Sequence, residues 1–304
     1  MMQALKSVKY LTTSTMKQAV SELSVAVPWG EIRGRVWGPE HGRPVLCLHG
    51  WADNCGTFNK LIPLLPKEYR YVAVDLAGHG FSSHRPPGVF YTFPSYVADV
   101  CRVVSGVFSV FQIAVVFYSA LYPEMVDAIV LLDSYGFMPT DQVLNLKELG
   151  IEGLLEFEKK SEQKKEKIYT YEEAVKRLSE ANPFLSEDSV HILLERGLVQ
   201  TDGGASSVFS RLFKLFQRLY WCLLLNSQGS CSLETSLLPK HCGTVILCVC
   251  YSQIITLLSF VPQHKVVTVP GDHHVHLNNP EFVAPLVSDF LRSDVLGLKE
   301  TPKL

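Results

Sequence analysis

Short apolar runs that stop at a glycine or an acid recur along this chain, with helix-period segments between them. This alternation narrows the possible folds more than any other feature. Residues 45–50 read VLCLHG, residues 71–75 read YVAVD and residues 128–133 read AIVLLD. Runs of this kind are strands buried on both faces of a parallel sheet. Parallel strands need crossovers, and residues 57–65 and 94–104 have the pattern of helices that would supply them. Before them, residues 23–28 and 31–37 flank Pro28-Trp29-Gly30 and predict an opening antiparallel hairpin. Strand-like runs return at 244–250 and 265–269, and Asn278-Asn279-Pro280 predicts the start of a closing helix over 280–292. The expected class is α/β, with a mostly parallel central sheet and helices on both faces.

Between 141 and 207 the composition changes. The stretch EFEKKSEQKKEKIYTYEEAVKRL is charged and helical, and predicts an inserted cap of two to four helices with solvated charged faces. The expected division is a flexible tail over 1–20, a first core part over 21–140, a cap and transition over 141–225, and a second core part over 226–304. Residues 209–225 and 244–261 are strongly apolar. Neither is a clean span of ~20 apolar residues, so both are expected in the core and no stable membrane span is expected.

Composition excludes several function classes. With 28 basic and 30 acidic residues the formal net charge is -2, which gives no electrostatic footprint for nucleic acid. Eight cysteines are scattered, several within apolar runs, and read as reduced thiols. Cys248 and Cys250 form C-x-C near Cys242, but no second pair has zinc-like spacing, so neither metal nor cofactor is expected. Residues 1–20 carry Lys6, Lys9 and Lys17 without an acid, a composition shared by transit peptides and disordered tails. Pro302-Lys303-Leu304 differs from the peroxisomal S-K-L address at one position. A cytoplasmic or peroxisomal location, or both, is expected.

Three segments come in a telling order: Leu48-His49-Gly50-Trp51, Asp75-Leu76-Ala77-Gly78-His79-Gly80, and Gly271-Asp272-His273-His274-Val275-His276-Leu277. Together with WADNCGTFNKLIPLLP, GHGFSSHRPPGV, YPEMVDAIVLLD and GDHHVHLNNPE, they resemble the α/β-hydrolase fold family, and within it the serine hydrolase-like branch. The resemblance covers residues 21–140 and 262–292 well and the cap loosely.

That resemblance implies a Ser-His-Asp mechanism on a small ester or acyl substrate. Gly50 and Trp51 would supply backbone N–H groups to an oxyanion hole, although the same residues also suit a plain tight turn after a strand. His273 would be the general base, its ordinary pKa near neutrality suiting proton transfer in both directions. His274 and His276 compete by spacing. Asp133 would orient the imidazole, with a loop-capping carboxylate as the alternative, because VILCVCYSQIITLLSF offers no acid. Asp75 and His79 read as architecture of a glycine-punctuated loop.

One element of the family pattern is missing. Residues 103–123 read VVSGVFSVFQIAVVFYSALYP, where a strand, a G-x-S-x-G elbow and a helix belong, and no G-x-S-x-G occurs in the chain. Ser105, Ser109 and Ser119 lack glycines two residues to either side, and the nucleophile is unknown. Two readings therefore stand: a serine hydrolase with a displaced nucleophile, or a non-catalytic relative that at most binds a small apolar ligand.

Overall fold

The computed structural model describes residues 19–50, 52–86, 89, 91–107, 126, 128–133, 168–201, 204–207, 245–249 and 264–295. Strands β1 (Val20–Val27) and β2 (Gly30–Trp37) form the opening hairpin, with Val27 opposite Gly30 across Pro28-Trp29. Next come β3 (Arg43–Leu48) and β4 (Tyr69–Val74). β4 pairs antiparallel with β2 and parallel with β3, giving the order β1-β2-β4-β3. A second ladder contains β5 (Ile129–Leu132), β9 (Val245–Val249) and β10 (His264–Thr268), all parallel, in the order β10-β9-β5.

No ladder joins β3 to β5 among the described residues, yet side-chain alternation puts the two in one layer. Leu46 and Leu48 of β3 share a core with Ile129 and Leu131 of β5. Val45 and Cys47 share the opposite core with Val130 and Leu132. A strand sends alternate side chains to opposite faces, so two strands that feed the same two cores in the same alternation belong to one sheet layer. The first face is covered by α1 (Phe93–Val107), which buries Val100, Val103 and Val104 at helical spacing. The other face carries Phe58, Ile62, Val287 and Phe290.

Two expected helices come out differently. Residues 57–65 hold two 3-10 turns, Cys55–Phe58 and Ile62–Leu64, instead of one helix. The Asn54 side chain accepts from the Gly56 N–H and starts the first turn, while Pro63 has no N–H with which to extend a longer ladder. The closing helix is likewise divided. A 3-10 turn at Pro280–Phe282 gives way at Val283 to α5 (Ala284–Phe290), then to a π-turn at Leu291–Val295. Pro285 lies in the first helical turn, where a missing N–H is tolerated, and so marks a fresh start.

The described part of the segment expected as a cap, 168–201 and 204–207, holds more than helices. α2 (Tyr171–Ala181) opens on a capping box between Thr170 and Glu173, and α3 (Glu187–Gly197) is capped by Ser186. Around them β6 (Ile168–Tyr169), β7 (Leu198–Thr201) and β8 (Gly204–Ser207) form an antiparallel sheet in the order β6-β8-β7. The β7–β8 register leaves only Asp202-Gly203 between Thr201 and Gly204, a dipeptide suited to a tight hairpin. The charge-rich pattern before it had pointed only to helix. Residues 1–18 of the expected tail and residues 208–244, 250–263 and 296–304 lie outside the described residues, while Val20, placed in that tail, already opens β1. So do Trp51, Cys222, Cys231, Cys242, Cys250 and the Pro302-Lys303-Leu304 end. Among the described residues no helix is long and apolar enough to cross a membrane.

Candidate active site

Parallel strands deliver their carboxyl ends to one edge of a sheet, where α/β folds bind ligands. Here β3 ends in His49-Gly50, β4 in Asp75, β5 in Asp133, and β10 leads through Pro270-Gly271-Asp272 to His273. A short helix, α4 (Val275–Asn278), follows at once and carries His276.

Asp133 and His273, 140 residues apart, are in contact. The His273 Nδ1 lies 2.7 Å from Asp133 Oδ2. A carboxylate can only accept, so Nδ1 carries the proton and the neutral ring keeps its free lone pair on Nε2. Asp133 is buried, whereas the His273 side chain is 62% exposed and open to a reacting group. The Asp133 bond raises the His273 pKa; burial opposes it, and the nearby charges of Asp133, Asp53 and Asp272 add to the rise. Asp133 adopts φ 45°, a left-handed conformation that Asp tolerates better than most residues.

The loop after β3 is fixed by His49. Its Nε2 accepts from the Leu76 N–H at 2.9 Å, so its Nδ1 bears the proton and donates to the Gly50 carbonyl at 2.7 Å. Two opposite bonds define the tautomer and pin the Gly50 carbonyl. A Cβ built on Gly50 would meet no described atom within 4 Å, which leaves open space beside that backbone. Ala52 has φ 57°. Among the described residues, Ala52 and Asp133 are the non-glycine positions with positive φ, and they occupy the loops after β3 and β5. Backbone strain of this sort, about 1–2 kcal/mol for a residue with a side chain, concentrates where a loop must aim groups at a site.

Asp75 and His79 are absorbed into packing. Asp75 is fully buried and accepts from the Cys55 N–H at 2.8 Å, the Phe81 N–H at 3.0 Å and the Arg196 guanidinium at 2.8–2.9 Å. Burial works against its charge, but Arg196 wins and holds the carboxyl below the usual range. Gly80, at φ 50°, lies so close that a Cβ would stand 2.2 Å from the Asp75 carboxyl carbon. Burial pushes the His79 imidazole down to about 3, and its Nδ1 meets the Ala77 carbonyl at 3.1 Å.

The neighbouring histidines are engaged separately. His276 Nε2 lies 2.9 Å from Thr57 Oγ1, and burial takes its pKa down to about 3. His274 is lowered to about 4, burial again being the main cause. Among the described residues no group of three metal-ligating side chains stands together. Asp53, Thr57 and Arg196 went unnoticed in the sequence. Asp53 stands only three residues after Gly50, which is the one local signal that pointed to it; Arg196 ends a cap helix and carried none.

Of the serines considered as nucleophiles, Ser105 lies on α1 and is exposed, while Ser109 and Ser119 lie outside the described residues. Among the described residues no serine hydroxyl hydrogen-bonds His273.

The α/β-hydrolase fold profile matches residues 43–105. A serine hydrolase-like protein of Danio rerio is 48% identical over 314 aligned residues, covering 96% of this chain and 94% of its own. Serine hydrolase-like protein 2 of Homo sapiens is 36% identical and covers 90% of this chain and 94% of its own. A solved structure of a hypothetical protein from Pseudomonas aeruginosa PAO1 superposes with TM-score 0.71 at 24% identity, over 88% of this chain and 96% of that one. The likeness to that structure supports the fold alone. With relatives this similar along nearly the whole length, the chain belongs to the serine hydrolase-like proteins of the α/β-hydrolase fold.

Proposed function

We propose that this protein is built to hydrolyse a small ester, thioester or related acyl compound, with His273 as general base, Asp133 as the acid that orients it, and Gly50 and Trp51 at the oxyanion hole. The observation that carries the reading is the 2.7 Å bond between His273 Nδ1 and Asp133 Oδ2, with the imidazole otherwise exposed. In that state Nε2 is free to take a proton from a nucleophile, while the carboxylate steadies the imidazolium that forms. The later return of that proton to the leaving group completes acyl transfer. No cofactor enters this scheme. The substrate is a small molecule held between the strand ends and the cap, over residues 141–225.

A second reading rests on a separate observation. The chain has no G-x-S-x-G, so the serine that His273 would activate is unassigned. A non-catalytic member that keeps the fold and binds a small apolar ligand would have that sequence.

Labelling folded protein with a fluorophosphonate, beside His273→Ala, separates the two. Hydrolysis predicts one modified serine, found by mass spectrometry, whose labelling disappears in the variant. Folded protein that takes up no label would leave the non-catalytic reading.

A further inference from the structure

Asn278 ends α4, five residues after His273, and has no part in the proposed hydrolysis. Its half-buried amide is engaged at both ends. Oδ1 accepts the Ser186 N–H at 3.1 Å, while Nδ2 donates to the Phe184 carbonyl at 2.8 Å and to Asp272 Oδ2 and Oδ1 at 3.0 and 3.2 Å. Turning the amide over would set N–H against N–H and oxygen against carbonyl and carboxylate, so these partners fix its orientation. Phe184 and Ser186 belong to the turn that starts α3, with Ser186 as its N-cap, and Asp272 directly precedes His273. Asp272 Oδ1 also takes the His274 N–H at 2.7 Å, so the carboxylate that Asn278 holds braces the backbone on both sides of His273.

Two further bonds make this contact part of a closed ring. From α4, His276 Nε2 meets Thr57 Oγ1 of the first 3-10 turn at 2.9 Å. Just before that turn, the fully buried Asn54 donates from Nδ2 to the Leu193 carbonyl of α3 at 2.8 Å. The His273 loop with α4, the segment after Gly50, and α3 are thus joined pairwise, each to the other two. One member of such a ring can shift only by breaking two links, whereas an open row of contacts would hinge.

We propose that Asn278 is a positioning residue that fixes the His273 loop against the start of α3 and so closes this ring beside the strand-end site. In α3 and its leading turn the bonded atoms are the Phe184 and Leu193 carbonyls and the Ser186 N–H, all of them backbone. The ring therefore reads where the helix lies and not which side chains it carries. A reacting imidazole needs this kind of support, because an error of about 1 Å in its placement can cost about 100-fold in rate.

The inference rests on the reading of His273 and Asp133 as a hydrolytic pair, but its test reads the resting full-length protein. By NMR, Asn278→Ala should speed amide exchange at both Ser186 and His274 by about 10-fold, the scale of one lost hydrogen bond, with β4 amides unchanged. Asn278→Asp keeps an acceptor for Ser186 and sets a carboxylate against Asp272. It should speed exchange at His274 more than at Ser186, and it carries the test if the alanine variant does not fold. In both variants the His273 Nδ1–H resonance, drawn downfield by its bond to Asp133, should broaden or move upfield, although Asn278 hydrogen-bonds neither residue. If hydrolysis is detected, Asn278→Ala should also reduce kcat by up to about 100-fold, with KM little changed. A folded Asn278→Ala protein with unaltered His273 resonance and His274 exchange overturns the proposal. So does exchange that rises equally in β4, or loss of the fold in both variants, either of which makes Asn278 a general structural residue. Unsubstituted protein without the downfield His273 signal would strike the hydrolytic pair and leave the exchange rates readable, and absence of fluorophosphonate labelling bears on hydrolysis alone.

Discussion

Asp75 and Asp133 occupy equivalent places, each directly after a parallel strand, and have opposite surroundings. Asp75 is sealed beneath the cap, with Arg196 on it, and Arg196 is itself fully buried, reaching Glu22 at 2.9 Å and lying 4.2 Å over the Phe81 ring. Asp133 faces a histidine that is mostly open to solvent. Both carboxylate oxygens of Asp75 are engaged, Oδ1 by the Cys55 N–H and Oδ2 by the Phe81 N–H and Arg196, so through Arg196 it ties α3 to β4 and β1. Asp133 engages one nitrogen of a ring whose other nitrogen hydrogen-bonds none of the described residues. The strand end supplies a carboxylate in both cases; the partner decides whether it is a rivet or part of the pair proposed to be catalytic.

The comparison is broken most directly at Arg196. Arg196→Met should destabilise the protein by about 3–5 kcal/mol, because Asp75 is left as an unpaired buried charge. Urea unfolding would check this, and a loss below about 1 kcal/mol would mean that the pair behaves like an exposed one. In a double-mutant cycle, adding Asp75→Leu should recover only part of the loss, since it removes the unpaired charge but leaves the Cys55 and Phe81 N–H groups without their acceptor.

A middle-sized effect comes from acid. His79, His274 and His276 are held neutral by burial, with pKa values lowered to about 3, 4 and 3. The unfolded chain binds those protons near the ordinary histidine value of about 6.5. Their contribution is therefore complete above that pH and declines as pH falls toward the lowered values, with a slope of about 1.4 kcal/mol per pH unit for each extra proton taken up by the unfolded state. Urea melts between neutral and mildly acidic pH should reveal the slope, and His276→Gln should make it shallower.

The smallest effect is at the His273–Asp133 pair. The His273 pKa is raised, chiefly by the Asp133 bond, so this pair stabilises the fold fully below the ordinary histidine pKa. That contribution fades as pH rises through the raised value. Asp133→Asn should move the His273 titration downward by NMR while leaving the unfolding midpoint at neutral pH nearly unchanged. A large stability loss in that variant would make Asp133 a structural carboxylate like Asp75.

The sequence by itself determined the class of the fold and the rough position of its strands. A strand buried on both faces must be apolar throughout and must leave the sheet at a glycine or polar residue, so VLCLHG, YVAVD and AIVLLD could hardly be anything else. His273 was a candidate because its loop resembles the family's G-x-H pattern, and Asp133 because it ends a strand that some members use for the acid while VILCVCYSQIITLLSF offers none. Helix continuity at 57–65 and 280–292 was misjudged, since the patterns there fit a helix while Pro63, Asn54 and Pro285 divide the backbone. The cap sheet was missed because its strands are only 2–4 residues long, too short for periodicity to register. Tertiary structure alone decided the pairings: Arg196 with Asp75, Thr57 with His276, and His273 with Asp133 across 140 residues. Hydrogen bonds and ion pairs act over a few ångströms between groups that chain order leaves far apart, so the partner of a buried polar residue is fixed only when the strands and the cap come together.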